Sequence, residues 1–236
     1  MPLFNQGYIV AVIPTYNEAD NIPPLITTLE NLDCIDHIIV VDDNSTDGTL
    51  PKLSELQQTY GNIVVHKRPR KLGFGTAVKE GFQLALETHP FTRLIQMDAD
   101  LSHDPTSIPQ MLRNKEDIVL GSRYIKQGKI VGWNLYRKLL SRTANVLSRN
   151  LLGLKIHDLT TGYRIYSRTA IGLITKNAKC NGYAFEVETL WLSVKNSLTI
   201  KEVPITFVER CQGKSKLARV HEVALLIKFV LSHISN

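Results

Sequence analysis

The sequence predicts an α/β protein with a mostly parallel central sheet and helices on both faces. In its first half, short and nearly continuous apolar runs alternate with segments of helical periodicity. Such runs are typical of strands that helices cover on both faces, and the alternation predicts parallel strands joined by right-handed crossovers. The predicted strands are 8–13, 37–41, 62–66, 93–97 and 117–120. The helices predicted between them are 19–32, 49–60 and 75–88.

The second half is less regular, and its elements are predicted one at a time. It contains no internal repeat and no Pro/Gly-rich linker, so we expect it to pack onto the first half as part of a single domain, 1–236. The predicted elements are a basic amphipathic helix at 134–152, a strand at 163–167, a helix at 184–195, an edge strand at 198–207 and a final helix at 219–234.

Composition restricts the class of protein without choosing a function. Hydrophobic residues make up 43% of the 236 residues, and 28 Lys and Arg against 22 Asp and Glu give a net charge of +6. This mild basic excess suits anionic partners such as nucleic acid, phosphorylated molecules or an anionic membrane. Cys34, Cys180 and Cys211 form no CxxC pair, which favours a reducing compartment. We expect no secretory signal and no transmembrane domain, because no apolar run is long enough.

Polar clusters follow all five strands of the first half. They are PTYNE at 14–18, DDNSTDGT at 42–49, RPRKLGFGTA at 68–77, DADLSHDP at 98–105 and GSRY at 121–124. Each cluster alone is compatible with ordinary turn and helix-cap chemistry. Ligands of open α/β sheets bind beyond the carboxyl ends of the strands, however, so five such clusters predict one shared site.

Asp98 and Asp100 are the candidate metal ligands. In an extended segment their side chains point the same way, and two like charges so placed need a cation or several hydrogen-bond donors. Asp104 and Pro105 already supply a cap for the helix that follows, which leaves the earlier pair available. Oxygen ligands indicate Mg²⁺ or Mn²⁺, with Ser102 as a further ligand, directly or through water.

Several motifs in order resemble one known family. The spacing G-x-G-x-x-G is absent from KLGFGTAVKEG, and so is the P-loop pattern. By contrast, PTYNE, VDDNSTDGT, DADLSHDP, GSRY and ERCQGKSK follow the pattern of inverting family-2 glycosyltransferases with the GT-A (Rossmann-like) fold. GSRY, GWNLYRKLLSRTAN and ERCQGKSK together resemble the dolichyl-phosphate (polyprenyl-phosphate) mannosyltransferases, over about residues 8–217.

The resemblance implies GDP-mannose as the sugar donor and a role for each matching residue. It implies a nucleotide-binding half at about 1–125 and an acceptor- and membrane-facing half at about 126–236. Asp98, Asp100 and Arg123 would be catalytic. The donor-binding residues would be Pro14, Tyr16, Glu18, Val41, Asp43, Asp98, Ala99, Asp100, Arg123, Arg210 and Lys216.

The resemblance also implies dolichyl or polyprenyl phosphate as acceptor, with Arg123, Arg137 and Ser141 at its phosphate. The periodicity agrees, because Arg137 and Ser141 lie with Asn134 and Asn145 on one polar stripe of a basic amphipathic helix. Such a helix either packs on the sheet or lies at a membrane surface. With the resemblance we favour the membrane: a peripheral protein on the cytoplasmic side, with a small membrane-anchoring subunit as a candidate partner.

The expected reaction is the inverting transfer of mannose to a lipid phosphate. One alternative is the same chemistry with UDP-glucose or another nucleotide sugar, and another is a catalytically silent binding subunit. We do not expect nucleic-acid binding, because the cations occur with carboxylates at strand ends instead of in a continuous stripe. The motifs leave the roles of Asp158, Glu186 and Glu188 open.

Overall fold

The structure is a computed structural model that describes residues 7–209 and 220–233. Its strands are β1 Ile9–Thr15, β2 His37–Asp42, β3 Ile63–Lys67, β4 Arg93–Gln96, β5 Ile118–Ser122, β6 Lys129–Val131, β7 Arg164–Ser167, β8 Ile200–Pro204 and β9 Thr206–Val208. Its α-helices are α1 Ile22–Glu30, α2 Thr49–Tyr60, α3 Phe74–Thr88, α4 Ile108–Leu112, α5 Leu135–Leu151, α6 Arg168–Asn177, α7 Ala184–Lys195 and α8 Val220–His233. A 3-10 turn, Pro105–Ser107, precedes α4.

Seven strands form the central sheet in the order β3-β2-β1-β4-β7-β5-β8. Only β7 is antiparallel to its neighbours, β4 and β5. The other pairs are parallel, so the carboxyl ends of β1 to β5 lie at one edge of the sheet. This confirms the predicted α/β class with a mostly parallel sheet.

Helices cover both faces of the sheet, and β1 shows why its sequence is apolar throughout. Val10 and Val12 pack in one core cluster with residues of α3, α6 and α7. Ile9, Ala11 and Ile13 pack in the other cluster with residues of α1, α2 and α4. Successive side chains of a strand point to opposite faces, so a strand between two helical layers needs apolar residues at every position.

The predicted edge strand 198–207 is wrong as a single element. The chain pairs with β5 only up to Pro204, which ends β8 at the sheet edge. After Ile205 the chain pairs with β6 instead, forming the two-stranded β6-β9 sheet. Both segments are extended, and the change of partner depends on β6, a strand that is not among those predicted from the sequence.

Helix α6 was also missed, although its sequence carries a usable signal. The Ser167 hydroxyl accepts a hydrogen bond from the Ala170 N–H, as an N-cap does. Ala170, Ile171 and Ile174 then form the buried stripe. The predicted helices at 134–152, 184–195 and 219–234 correspond to α5, α7 and α8. Among the residues that the structure describes, no helix is both long and apolar enough to cross a bilayer.

Helix α3 packs closely on the sheet through Gly81. A Cβ atom added there would overlap Val12 Cγ1 and lie 3.0 Å from Val41 Cγ2. We therefore expect Gly81→Ala to lower the free energy of unfolding by about 2 kcal/mol, because a close-packed core resists added volume. Urea denaturation followed by circular dichroism measures this change.

The matched control is Gly172→Ala on α6, where nothing lies within 4 Å of an added Cβ. This variant should gain about 0.5–1 kcal/mol from the helix propensity of alanine alone. Equal effects of the two substitutions would contradict the close approach at Gly81.

Candidate active site

A cavity of about 550 Å³ lies where the carboxyl ends of β1 to β5 face α5. We call it the main cavity. All five strand ends contribute to its lining, as do α5 and the segment before β7. The predicted site residues that line it are Pro14, Tyr16, Glu18, Asp43, Asp98, Ala99, Asp100, Ser102, Arg123, Arg137 and Ser141.

Three predicted donor-binding residues are not among these. The Val41 side chain is fully buried in the core cluster beneath α3 and does not line the main cavity. The structure thus places this side chain in the core, because its position in β2 directs it toward the helical layer. Arg210 and Lys216 lie outside the described residues.

The loop after β4 presents the two candidate metal ligands differently. Asp98 keeps about a third of its side chain exposed, whereas Asp100 is buried. The Ser102 N–H and hydroxyl both donate to Asp100 Oδ1, at 3.1 and 2.5 Å. Leu101 adopts a left-handed conformation, with φ of 60°, which turns the chain back so that Ser102 faces Asp100. Ser102 therefore orients the Asp100 carboxylate.

His103 packs beneath this loop, on its buried side. Its ring is buried, stacks on Tyr163 at 5.0 Å and meets the edge of Phe207 at 5.5 Å. Burial lowers the pKa of His103 to about 4, although Asp100 opposes this shift. The ring is consequently neutral at pH 7, and its Nδ1 accepts a hydrogen bond from the Asp98 N–H at 3.4 Å.

A buried ion pair joins Arg123, after β5, to Asp158. Arg123 Nε and Nη2 each lie 2.7 Å from an Asp158 oxygen, and the Arg123 N–H donates to the same carboxylate. Burial alone would raise the pKa of Asp158, but Arg123 holds it below its usual value. The Thr160 hydroxyl accepts a further bond from Nη2. Asp158, whose role the motifs left open, thus orients Arg123 toward the cavity.

A second buried cation, Arg68, was not predicted as a site residue. It lies one residue beyond β3, and its Nη1 donates to Asp43 at the cavity. Its Nε and Nη2 donate to the two carboxylate oxygens of Glu80 at 2.9 and 3.0 Å, and Nη2 also donates to Thr76. The sequence did offer a signal, an arginine directly after an apolar strand. A buried strand brings the residue that follows it into the protein, where a charged side chain needs acidic partners.

Glu186 and Glu188 have different surroundings. Glu186 is buried in the cavity wall, where it accepts a hydrogen bond from Gln96 at 2.5 Å and lies 2.9 Å from Arg164. Burial disfavours the charge of Arg164, yet Glu186 raises the pKa of Arg164 above its usual value. Glu188 accepts hydrogen bonds from the N–H groups of Lys179 and Cys180. Glu188 therefore binds backbone groups, and of the two glutamates only Glu186 lines the main cavity.

Helix α5 closes the cavity with its polar stripe. Asn134 caps the helix by accepting a bond from the Arg137 N–H at 2.8 Å. The Arg137 guanidinium lies 4.2 Å from the Trp133 ring centre and 2.7 Å from a Glu209 oxygen. The Ser141 hydroxyl accepts a bond from the Tyr124 hydroxyl at 2.7 Å.

Outside the polar stripe, α5 exposes apolar side chains. Leu135 and Tyr136 are 82% and 76% exposed, and Leu139, Leu140 and Leu147 are each at least half exposed. Water-exposed apolar side chains in such a run mark an interaction surface.

A model of the family "Glycosyl transferase family 2" matches residues 10–173. This range includes β2 to β5, nearly all of β1, and the loop 97–104 that carries Asp98 and Asp100, which we call the carboxylate loop. The chain belongs to this family. It is therefore a glycosyltransferase, as the motifs predicted. The chain is 39% identical over 214 residues to a polyprenol monophosphomannose synthase of Mycolicibacterium smegmatis, covering 89% of this chain and 80% of that protein. It is 36% identical to an undecaprenyl-phosphate mannosyltransferase of Micrococcus luteus, covering 89% and 87%.

Solved structures of similar fold are more distant in sequence. A mycobacterial protein superposes with a TM-score of 0.72 at 20% identity, covering 97% of this chain and 75% of that one. Glucosyl-3-phosphoglycerate synthase from Mycobacterium tuberculosis, crystallised with Mn²⁺, UDP-glucose and glycerol 3-phosphate, has a TM-score of 0.68 at 21% identity, covering 97% and 80%. These family-2 relatives and structures confirm the predicted GT-A fold.

Because of the Arg123–Asp158 pair, we expect the free energy of unfolding of this glycosyltransferase to decrease at acid pH. We expect Asp158→Asn to lower the free energy of unfolding by about 3 kcal/mol at pH 7, because it leaves a buried guanidinium uncompensated. The pKa of Asp158 lies below its usual 3.8 in the folded protein. The stabilisation is therefore complete above about pH 4 and is lost as the pH falls through the folded-state value.

Urea denaturation of both proteins across this pH range measures the difference. The control is Asp20→Asn, which removes an exposed acid 3.4 Å from Lys52 and should cost under about 1 kcal/mol. If the difference in free energy of unfolding between wild type and Asp158→Asn increased toward low pH, this would contradict the stabilising role of the Arg123–Asp158 pair.

Proposed function

We propose that this enzyme transfers mannose from GDP-mannose to a dolichyl or polyprenyl phosphate, with inversion at the anomeric carbon. The observation that carries the proposal is the similarity, across 89% of the chain, to two proteins named as mannosyltransferases of polyprenyl-type phosphates. The main cavity supports it, because carboxylates from the strand ends and cations from β5 and α5 line the same space.

The donor would occupy the side of the cavity formed by β1, β2 and β4. Asp43, oriented by Arg68, would bind the nucleoside, and Lys71 lies 3.9 Å from the ring centre of Tyr16 beside it. The diphosphate would then lie at Asp98 and Asp100. This placement agrees with ligand binding at strand carboxyl ends in open α/β sheets.

The carboxylate loop fits a divalent cation, Mg²⁺ or Mn²⁺. Its donor atoms are hard oxygens, and Ser102 fixes the direction of Asp100. Within the described residues no three His, Cys, Asp or Glu side chains form a metal cluster, so diphosphate oxygens and water would complete the coordination. A bound ion would supply positive charge to the departing diphosphate.

The acceptor phosphate would lie between Arg137, Ser141 and Arg123, on the α5 side. Its oxygen forms the new bond to the anomeric carbon while the bond to the diphosphate breaks, and GDP leaves with the electron pair. A phosphate monoester is largely dianionic at pH 7, with a second pKa near 6, so no general base is needed. The residues therefore act by orientation and by stabilising negative charge.

A lipid acceptor would require the reaction to take place at a membrane. We assign α5 as the surface that contacts this membrane. Its exposed leucines surround the mouth of the acceptor side, since Tyr136 and Leu140 also line the main cavity. A peripheral orientation with α5 on the bilayer would let the lipid phosphate enter while its chain stays in the membrane. The cytoplasmic side of the membrane, a single-domain chain and an anchoring subunit are parts of the same proposal.

The choice of donor is tested by isothermal titration of GDP-mannose and UDP-glucose in the presence of Mn²⁺. We expect GDP-mannose to bind at least about tenfold more tightly, a difference that correct base and sugar contacts supply. Tighter binding of UDP-glucose would assign the chain to glucosyl transfer instead. Binding of GDP-mannose with no transfer to any lipid phosphate would indicate a silent binding subunit.

The role of the carboxylates is tested by Asp98→Asn and Asp100→Asn. Each should lower mannose transfer by at least about a thousandfold, because the charge on the leaving diphosphate loses its stabilisation. Each should also remove the Mn²⁺-dependent part of GDP binding measured by calorimetry. Asp104→Asn is the control, since Asp104 caps the 3-10 turn on the same loop and does not line the cavity. Activity near wild type in either test variant would refute the assignment.

The acceptor site is tested by Arg137→Ala. We expect the KM for the lipid phosphate to rise about tenfold or more, through loss of charge-assisted hydrogen bonds, while the affinity for GDP-mannose stays unchanged. Glu209→Gln should lower that KM several-fold, since the phosphate must replace Glu209 at Arg137. Arg149→Ala, on the same helix outside the cavity, is the control. Equal losses for donor and acceptor in Arg137→Ala would contradict the placement.

A further inference from the structure

A second cavity, of about 410 Å³, is lined by α5 residues that do not belong to the polar stripe of Asn134, Arg137, Ser141 and Asn145, which we call the acceptor stripe. We call this cavity the outer pocket. It is enclosed by the β5–β6 loop and by Leu135, Lys138, Leu139 and Arg142 of α5. These four residues follow an i, i+3, i+4, i+7 pattern, so they form one continuous stripe of the helix. Nothing in the proposed transfer reaction uses this stripe.

The outer pocket combines cations with apolar walls. Lys138 and Arg142 are one turn apart, and neither has an acidic partner within 4 Å in the part of the chain that the structure describes. Ile125 and Ile130 of the loop form the opposite wall. Arg123 also lines the pocket, where it is paired with Asp158. A ligand suited to this lining has an anionic group attached to an apolar chain.

The basic excess of the protein lies in the chain segment that contains this pocket. Residues 118–157 contain eight Lys and Arg and no Asp or Glu. The rest of the chain has 20 Lys and Arg against 22 Asp and Glu. A basic segment of this kind attracts an anionic surface, and each basic residue near such a surface strengthens binding.

The outer pocket borders the proposed acceptor site at Arg123 but includes neither Arg137 nor Ser141. The two cavities share Arg123, and residues of α5 line both. The outer pocket contains none of the carboxylates at which the diphosphate would lie. The hydrogen bond between Tyr124 and Ser141 lies between the two spaces. An anion in the outer pocket therefore stays away from the sugar.

We propose that the outer pocket binds the phosphate of an anionic membrane phospholipid, with Lys138 and Arg142 on the phosphate and the isoleucines and leucines on the first part of its chain. This inference rests on the proposed membrane orientation of α5. The bound phospholipid would fix the rotation of α5 on the bilayer, so that the acceptor stripe faces the interior of the protein and the apolar side chains face the lipid.

The test is flotation of the full chain with vesicles of phosphatidylcholine, alone or mixed with phosphatidylglycerol. The variant is Lys138→Gln/Arg142→Gln. The control is Lys126→Gln/Arg149→Gln, which removes the same charge from the same basic segment outside the pocket lining. Both should bind neutral vesicles as wild type does. On anionic vesicles the control should lose roughly tenfold in affinity, and the pocket variant about tenfold more.

Added salt further separates the loss of surface charge from the loss of the pocket contacts, because exposed charges are screened strongly and the pocket contacts are screened less. Equal losses in the two variants at every salt concentration would overturn the pocket. Release of the wild type from anionic vesicles by millimolar glycerol 1-phosphate would show a site for a free phosphate and overturn the lipid assignment.

A separate assay distinguishes this inference from the transfer reaction. Mannose transfer to a short-chain acceptor in detergent, without a bilayer, reports only the main cavity. Loss of that transfer in the pocket variant, with vesicle binding intact, would place the outer pocket in the reacting site and overturn the proposal. Absence of transfer in the wild type would remove the proposed function, while the difference between the two variants on vesicles would still decide the pocket.

Discussion

The buried ion pair between Arg123 and Asp158 is the constraint on which the site depends. It joins the end of β5 to the segment before β7, and it fixes a cation beside the candidate diphosphate position. A guanidinium so deeply buried requires a carboxylate with nearly ideal geometry, because the loss of hydration is large. Arg68, with Asp43 and Glu80, repeats this arrangement at the other end of the cavity. Polar groups at the sheet edge are therefore fixed before any ligand arrives.

Rigid charges of this kind suit a reaction in which the nucleophile is already anionic. In the proposed transfer to a lipid phosphate, the protein would need no proton acceptor, and it would gain most from cations whose positions do not change as negative charge moves to the diphosphate. His103 fits the same requirement. Since burial keeps its ring neutral, it can hold the Asp98 N–H without adding a positive charge that would compete for the carboxylates.

Helix α5 serves three surroundings at once, and its sequence shows the compromise. Its polar stripe lines the main cavity, Lys138 and Arg142 line the outer pocket, and its exposed leucines border both spaces. The structural neighbours share the fold at about 20% identity, and fold alone does not determine acceptor chemistry. Differences in acceptor are expected to reside in such surface elements, while the strand ends keep the nucleotide-sugar chemistry common to the family.

The sequence by itself determined the strand-helix alternation, the parallel sheet, the carboxylate loop and the polar stripe of α5, because each depends on neighbours along the chain. Only the tertiary structure decided that Asp158 and Arg68 pair with residues of the candidate site, that Val41 belongs to the core, and that 198–207 divides between two sheets. The partners of Arg123 and Arg68 lie 35 and 12 to 25 residues away. Pairing over such separations depends on which strands become neighbours, and local periodicity carries no information about that.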